Sequence, residues 1–307
     1  MNILNESIFT TFIVIFSILI VAFIIIKYLQ QKNDKPYIEL FDRTKSWFYM
    51  ILIFAFTVFL NNIIAMIFFA LLSYLALKEY FTLIPTRLTD RRIIFYGYLV
   101  IIIQYYLAYI QWYELFIICI PVYLFLLLPF RQILIGDTNG FINNTSKVQW
   151  GVMLFVFAIS HVAYLLMLPS IDFITGAMMV LYLIFLTELN DILQYVCGKS
   201  FGKRKIIPKV SPNKTVEGFL GAMFLTTILA VVFSYLTPFT TLEAIGAGLI
   251  INIGGFIGDV VVSMVKRDVG VKDASNMITG HGGIIDRVDS LTYTAPLFFH
   301  YVYYLYY

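Results

Sequence analysis

An all-α, polytopic membrane fold of about ten transmembrane helices, with both termini outside, is what this sequence predicts. Three observations carry that expectation: extreme apolarity, apolar runs of membrane-spanning length, and basic residues confined to alternate loops. Hydrophobic residues make up 61% of the chain and charged residues 13%, about half the charged share of an average soluble domain. One soluble core cannot hide that much apolar surface.

The apolar runs fall at 8–28, 47–60, 62–79, 93–110, 112–130, 149–168, 172–197, 216–236, 242–265 and 290–306. Most approach the roughly 20 residues that a helix rising 1.5 Å per residue needs to cross hydrocarbon. The second and third runs meet at Asn61-Asn62, where a re-entrant hairpin is an alternative to two spans. No strand, repeat or low-complexity tract is expected elsewhere.

Cytoplasmic loops collect Lys and Arg, and this tests the count. With the N-terminus outside, the inward loops hold Lys27, Lys32, Lys35, Arg43 and Lys45, then Lys78, Arg87, Arg91 and Arg92, then Arg131 and Lys147. Lys199, Lys203, Arg204, Lys205, Lys209 and Lys214 follow, and Lys266, Arg267, Lys272 and Arg287 complete the set. All 21 basic residues thus lie on one side, and an error of one helix would split them. The first run lacks a basic region ahead of it and has Lys27 behind it, so it reads as an outward-starting anchor, not a cleaved signal peptide. Cys119 and Cys197 sit in or at the end of apolar runs, which supports neither a disulfide framework nor a thiolate metal site.

Polar chemistry concentrates in the second half, dividing the chain into N-terminal helices and loops (1–148) and a C-terminal region carrying the chemistry (149–307). The loop "GKSFGKRKIIPKVSPNKT", 198–215, has six basic residues and no acid. Contact with anionic headgroups, worth about 1 kcal/mol per basic residue near the surface, is its simplest use. A cradle for a polyphosphate is the sharper one: Gly198 and Gly202 permit close backbone approach, and Ser211-Pro212 reads as an N-cap and first helical position that would turn free N–H groups toward an anion.

Two carboxylates fall inside apolar runs, where each is costly unless paired, hydrated or bound to a cation. Asp191 lies eight residues before Lys199 and Asp259 seven before Lys266, so both sit roughly 10 Å below the charge line. Matched depth invites a shared cation. In "GVKDASNMITGHGGIIDRVDS", 270–290, Asp286 and Asp289 are spaced to share a face of a helix starting near Ile284. His281-Gly282-Gly283 makes an open turn before them. Hard oxygen donors suit Mg²⁺, which usually binds through one or two carboxylates plus substrate phosphates. His161 and His300, alone in apolar runs, read as packing residues.

The stretch Ser263–Asp289, "SMVKRDVGVKDASNMITGHGGIIDRVD", resembles the signature of the phosphatidate cytidylyltransferase (CDP-diacylglycerol synthase) family in its Ser, Lys-Arg, Lys-Asp, His-Gly-Gly and Asp-Arg-x-Asp. A second block, Asp191–Phe219, resembles that family's Asp-x-x-x-Tyr, Phe-Gly-Lys, Pro-Lys-x-Ser-Pro and Lys-Thr-x-Glu-Gly run. The resemblance covers roughly residues 186–300. Val262 stands where the family commonly has an acid, Ile192, Leu193 and Gln194 replace a small Ser-Gly-Ala, and Asn213 and Val216 replace Gly and Trp. These departures bear on substrate choice more than on chemistry, and a divergent branch acting on a different lipid phosphate fits them.

The resemblance implies transfer of a cytidylyl group from CTP to phosphatidate, releasing pyrophosphate, with Mg²⁺ and a second, monovalent cation such as K⁺. It assigns Asp259, Asp286 and Asp289 to the metal, with Asp191 as a further ligand or neighbour. Lys209, Ser211 and Lys214, with Lys266 and Arg267, would hold the triphosphate and the leaving pyrophosphate. Lys272, His281 and Arg287 would be further phosphate contacts. A homodimer in a bacterial plasma or inner membrane is also implied, with the site at the cytoplasmic leaflet, CTP and membrane lipids as partners, and no nucleic acid. The expected site is a polar cavity open both to water and sideways to lipid. Two rivals remain: a CTP-dependent polyprenol kinase, which would transfer the γ-phosphate, and a cation-coupled transporter, which should show inverted repeats in both halves.

Overall fold

The computed structural model describes residues 61–87, 90–134, 136–275 and 282–307, with isolated helical positions between 9 and 55. The first two apolar runs and His281 therefore lie outside the continuously described residues. Eight long or medium helices match the other eight runs: α1 (Asn62–Leu83), α2 (Arg91–Tyr109), α3 (Tyr113–Ile133), α4 (Phe141–Met167), α5 (Gly176–Phe201), α6 (Val216–Val232), α7 (Thr241–Asp268) and α9 (Leu291–Tyr306). A four-residue helix, α8 (Ile285–Val288), precedes the last. Six of them are long and apolar enough to cross a membrane, while α6 and α9 are shorter. The protein is an all-α membrane protein.

Local chemistry sets the helix starts. The Asn61 side chain accepts from Ile63 N, so the Asn doublet is where α1 begins. Thr175 caps α5, and Thr240 with Glu243 forms a reciprocal capping box on α7. Helices α3 and α4 each carry a π-helical stretch, Cys119–Leu124 and Met153–Phe157. In α3 that stretch contains Pro121, whose missing N–H cannot continue the regular ladder. Helix α4 starts eight residues before its apolar run because hydropathy registers the membrane portion and not the polar turns "NNTSKVQ" ahead of it. It passes unbroken through the division at 148/149.

Cross-contacts fix helix directions. Tyr80 Oη donates to Lys147 O and Asn62 Nδ2 to Leu166 O, so α1 and α4 are antiparallel. Tyr182 Oη donates to Ala230 O, pairing α5 with α6 in the same sense. Asn190 Oδ1 accepts from Asn252 Nδ2 at 2.6 Å and Thr226 Oγ1 at 3.3 Å, which ties α5, α6 and α7 by fully buried amides. The ends at Leu83, Phe141, Phe201, Val216, Asp268 and Ile285 thereby gather at one face of the bundle. Outward surfaces present Ile102, Leu126 and Phe224, as helices in hydrocarbon must.

Two expectations are corrected here. Residues 205–215 are an antiparallel hairpin, β1 (Lys205–Ile207) with β2 (Ser211–Thr215), in a region where no strand was expected. Accordingly Ser211 and Pro212 do not open a helix; they lie in β2, a two-stranded ribbon in which Pro is tolerated at an edge. Thr215 is the cap of α6, its Oγ1 accepting from Gly218 N at 3.1 Å. His161 packs as expected, its ring against Phe116, Phe157 and Phe299 and its Nδ1 donating to Phe157 O.

Gly258 lets α7 touch the turn between α8 and α9. A Cβ there would stand 2.5 Å from the Asp289 carbonyl oxygen and 3.1 Å from Ser290 Cα, both backbone atoms that cannot swing aside. Gly258→Ala is therefore expected to destabilise the protein by about 1–3 kcal/mol, read as a lowered melting temperature in detergent.

Candidate active site

Helix α5, strand β2, helix α7 and the α8–α9 turn enclose a cavity of about 400 Å³ at the gathered end of the bundle. Five carboxylates line it: Glu188, Asp191, Asp259, Asp286 and Asp289. Lys214 and Arg287 line it too, and Lys266 reaches it through Asp286 at 2.5 Å. Five carboxyl groups thus stand against three basic side chains. Its wall on α5 includes Ile192 and Tyr195, which are 46% and 61% exposed on the outer surface of the helix. The cavity is thus bounded on one side by exposed apolar and aromatic residues.

Each acid has a distinct holder. Asp259 Oδ2 pairs with Lys214 Nζ at 2.6 Å, and its Oδ1 accepts from Ser263 Oγ one turn on at 3.2 Å. Lys214 also donates to Gln194 Oε1 at 2.8 Å. Burial works against the Lys214 ammonium, yet the carboxylates of Asp259 and Asp191 outweigh it and hold its pKa above the usual value. Asp286 Oδ2 accepts from Ala274 N at 2.9 Å and Gly283 N at 2.8 Å. Asp289 Oδ1 accepts from Ser290 N at 2.8 Å. Burial, with Asp259 and Asp191 nearby, pushes the Asp289 carboxyl well above the usual range.

Three buried polar atoms in the cavity wall have no protein partner: Asp191 Oδ1, Arg287 Nε and Gln194 Nε2. Asp191 Oδ2 accepts from Ser290 Oγ at 2.7 Å, but its Oδ1 is unpaired. Arg287 Nε is likewise unpaired. A free carboxylate oxygen and a free guanidinium N–H in one polar cavity are the complement of a cation and an anion. Among the described residues, no three His, Cys, Asp or Glu groups already converge tightly enough to grip an ion, since Lys214 and Lys266 occupy Asp259 and Asp286. The donor chemistry fits Mg²⁺ all the same: hard oxygens from five carboxyl groups, one of them with an orphaned oxygen.

The structure brings together Asp191, Asp259, Asp286, Asp289, Ser211, Lys214 and Arg287 in the cavity wall, with Lys266 behind Asp286. Three expected contacts do not join them. Arg267 points away, its Nε donating to Val210 O and its Nη1 to Val271 O, and so it binds the hairpin turn to the end of α7. It borders a separate cleft with Tyr80, Lys147 and Trp150. Lys209, in the hairpin turn, and Lys272, after α7, are exposed to solvent and away from the lining. Sequence reasoning missed Glu188 and Gln194. Both were detectable, since they stand three residues to either side of Asp191 and so share its helix face.

A profile of the cytidylyltransferase family matches residues 41–305. This chain belongs to that family, and it is a nucleotidyltransferase enzyme of the membrane. It is 44% identical over 292 residues to the uncharacterized protein YnbB of Escherichia coli (strain K12), covering 94% of this chain and 96% of YnbB. It is 41% identical over 119 residues to the phosphatidate cytidylyltransferase of Aquifex aeolicus (strain VF5), covering 39% and 45% of the two chains. The Haemophilus influenzae phosphatidate cytidylyltransferase is 40% identical over 135 residues, covering 42% and 46%. The chain thus spans nearly all of YnbB and under half the length of these two phosphatidate cytidylyltransferases.

Proposed function

We propose that this protein transfers the cytidylyl group of CTP to phosphatidate or a closely related lipid phosphate, forming a CDP-lipid and pyrophosphate. The observation that carries the reading is the cavity with five carboxylates, three cations and an orphaned oxygen on Asp191. A nucleoside triphosphate brought beside five carboxyl groups needs cations to offset its charge. The relatives named phosphatidate cytidylyltransferase support the choice of acceptor.

In this reading an oxygen of the lipid phosphate forms a bond to the α-phosphorus of CTP while the bond to the β-phosphate bridging oxygen breaks, and pyrophosphate leaves with that oxygen. The nucleophile is already anionic, so positioning and charge neutralisation are the main tasks. Mg²⁺ held by Asp259, Asp286 and Asp289, with Asp191 beside them, would neutralise phosphate charge, and a monovalent cation such as K⁺ would take up the remaining carboxylate. Lys214, Lys266 and Arg287 supply the donors that orient the phosphates. Ser211 and Asn213 border the opening from β2. Ile192 and Tyr195 give the acyl chains a sideways approach, so that the acceptor reaches the site without leaving the bilayer.

The same reading places ten spans with both termini outside and the cavity at the cytoplasmic leaflet of the plasma membrane, because that topology puts all 21 basic residues on one side. Product analysis tests the chemistry. Purified protein with CTP, phosphatidate and Mg²⁺ should release pyrophosphate and yield a CDP-lipid in equal amounts. Release of CDP with a newly phosphorylated lipid would identify a kinase instead.

A further inference from the structure

The N-terminal half reaches the segment that carries Asp286 through Glu79. Glu79 lies on α1, four residues from its end, where the helix dipole disfavours a carboxylate and where the last turn holds no basic residue. It is nevertheless 7% exposed. Its Oε2 accepts from Ile285 N at 2.7 Å, the first N–H of α8, and its Oε1 accepts from Ser275 Oγ. One carboxylate thus holds both Ser275 and Ile285, the latter from 206 residues away in sequence. Gly283 fits this grip: a Cβ there would overlap both Glu79 carboxylate oxygens. Asp286 accepts from the neighbouring Ala274 N and Gly283 N. The two acids therefore hold neighbouring groups, Glu79 at Ser275 and Ile285 and Asp286 at Ala274 and Gly283.

We infer that Glu79 is a positioning residue that fixes the Asp286 loop in its catalytic geometry, making α1 part of the machinery. The inference rests on the assignment of Asp286 to the reaction. Because Glu79 neither lines the cavity nor faces a phosphate, its loss should act through Asp286 and leave lipid binding alone.

Hydrogen exchange of the full-length protein in detergent, without substrate, reads the grip directly. In Glu79→Ala, amides of 282–288 should exchange at least about tenfold faster, while those of α5 and α6 keep their protection. In turnover, kcat should fall about 10- to 100-fold, as losses of outer residues at metal sites do, with KM for the lipid acceptor unchanged. Gly283→Ala should give a similar defect by displacing the same carboxylate. The double variant should then be no worse than the worse single, since removing Glu79 relieves the overlap. Glu79→Gln, which keeps the size and one acceptor, should be intermediate and serves if the alanine variant does not fold. Unchanged exchange at 282–288 in Glu79→Ala or Glu79→Gln, or effects of Glu79→Ala and Gly283→Ala that multiply, would overturn the inference. A wild-type protein that transfers no cytidylyl group would sink the proposed function, and the exchange measurement would still decide the grip.

Discussion

Asp286→Asn is expected to lower cytidylyl transfer by about 10²–10³-fold or more, comparable to removing a principal electrostatic element of a transition state. The reason is the number of things this carboxylate does at once. Its Oδ1 holds Lys266 at 2.5 Å, and its Oδ2 holds the backbone at Ala274 and Gly283. An amide of the same size can keep only one oxygen, so either Lys266 or the loop loses its acceptor, and the charge offered to a cation is gone. Stability should fall less than activity, because the side-chain volume is unchanged. A rise in the Mg²⁺ concentration needed for half-maximal rate, measured beside the wild type, checks that the loss runs through the cation.

Lys214→Met should be nearly as damaging and for a separable reason. The ammonium bridges Asp259 and Gln194 across the mouth of the cavity, and removing it leaves the Asp259 carboxylate without its partner. Breaking one side of a buried pair typically costs about 3–5 kcal/mol, and the partial exposure of both side chains, 17% and 23%, places this case at or below the low end of that range. Transfer should drop about 100-fold. Adding Asp259→Asn should recover most of the melting temperature and none of the activity. Recovery of activity as well would mean that the pair is structural.

The transmembrane helices were legible because hydrocarbon imposes a length and a composition, and eight apolar runs became eight helices. That Asp191 and Asp259 meet was legible for a related reason: their spacings from Lys199 and Lys266 along a helix are matched distances, and both line the cavity. The hairpin at 205–215 was not, since its two strands are short and its Ser211-Pro212 also fits the start of a helix. What decided it was the pairing of Lys205 with Thr215, a contact that local sequence does not express. Lys-Arg at 266–267 read as one phosphate clamp, yet neighbours on a helix point about 100° apart, so Lys266 joins Asp286 and Arg267 joins Val210. Glu79 was invisible from its surroundings. Nothing in "LALKEYFTL" announces that one acid in it meets a loop two hundred residues away.

The most direct test of cytidylyl transfer in this cavity follows the α-phosphate. CTP labelled there is incubated with phosphatidate, Mg²⁺ and detergent-purified protein, beside Asp286→Asn. Label passing into a chloroform-soluble CDP-lipid with the wild type and failing to do so with the variant is the predicted result. Label that stays in the aqueous phase with every lipid phosphate offered, or that moves equally well with Asp286→Asn, would contradict it.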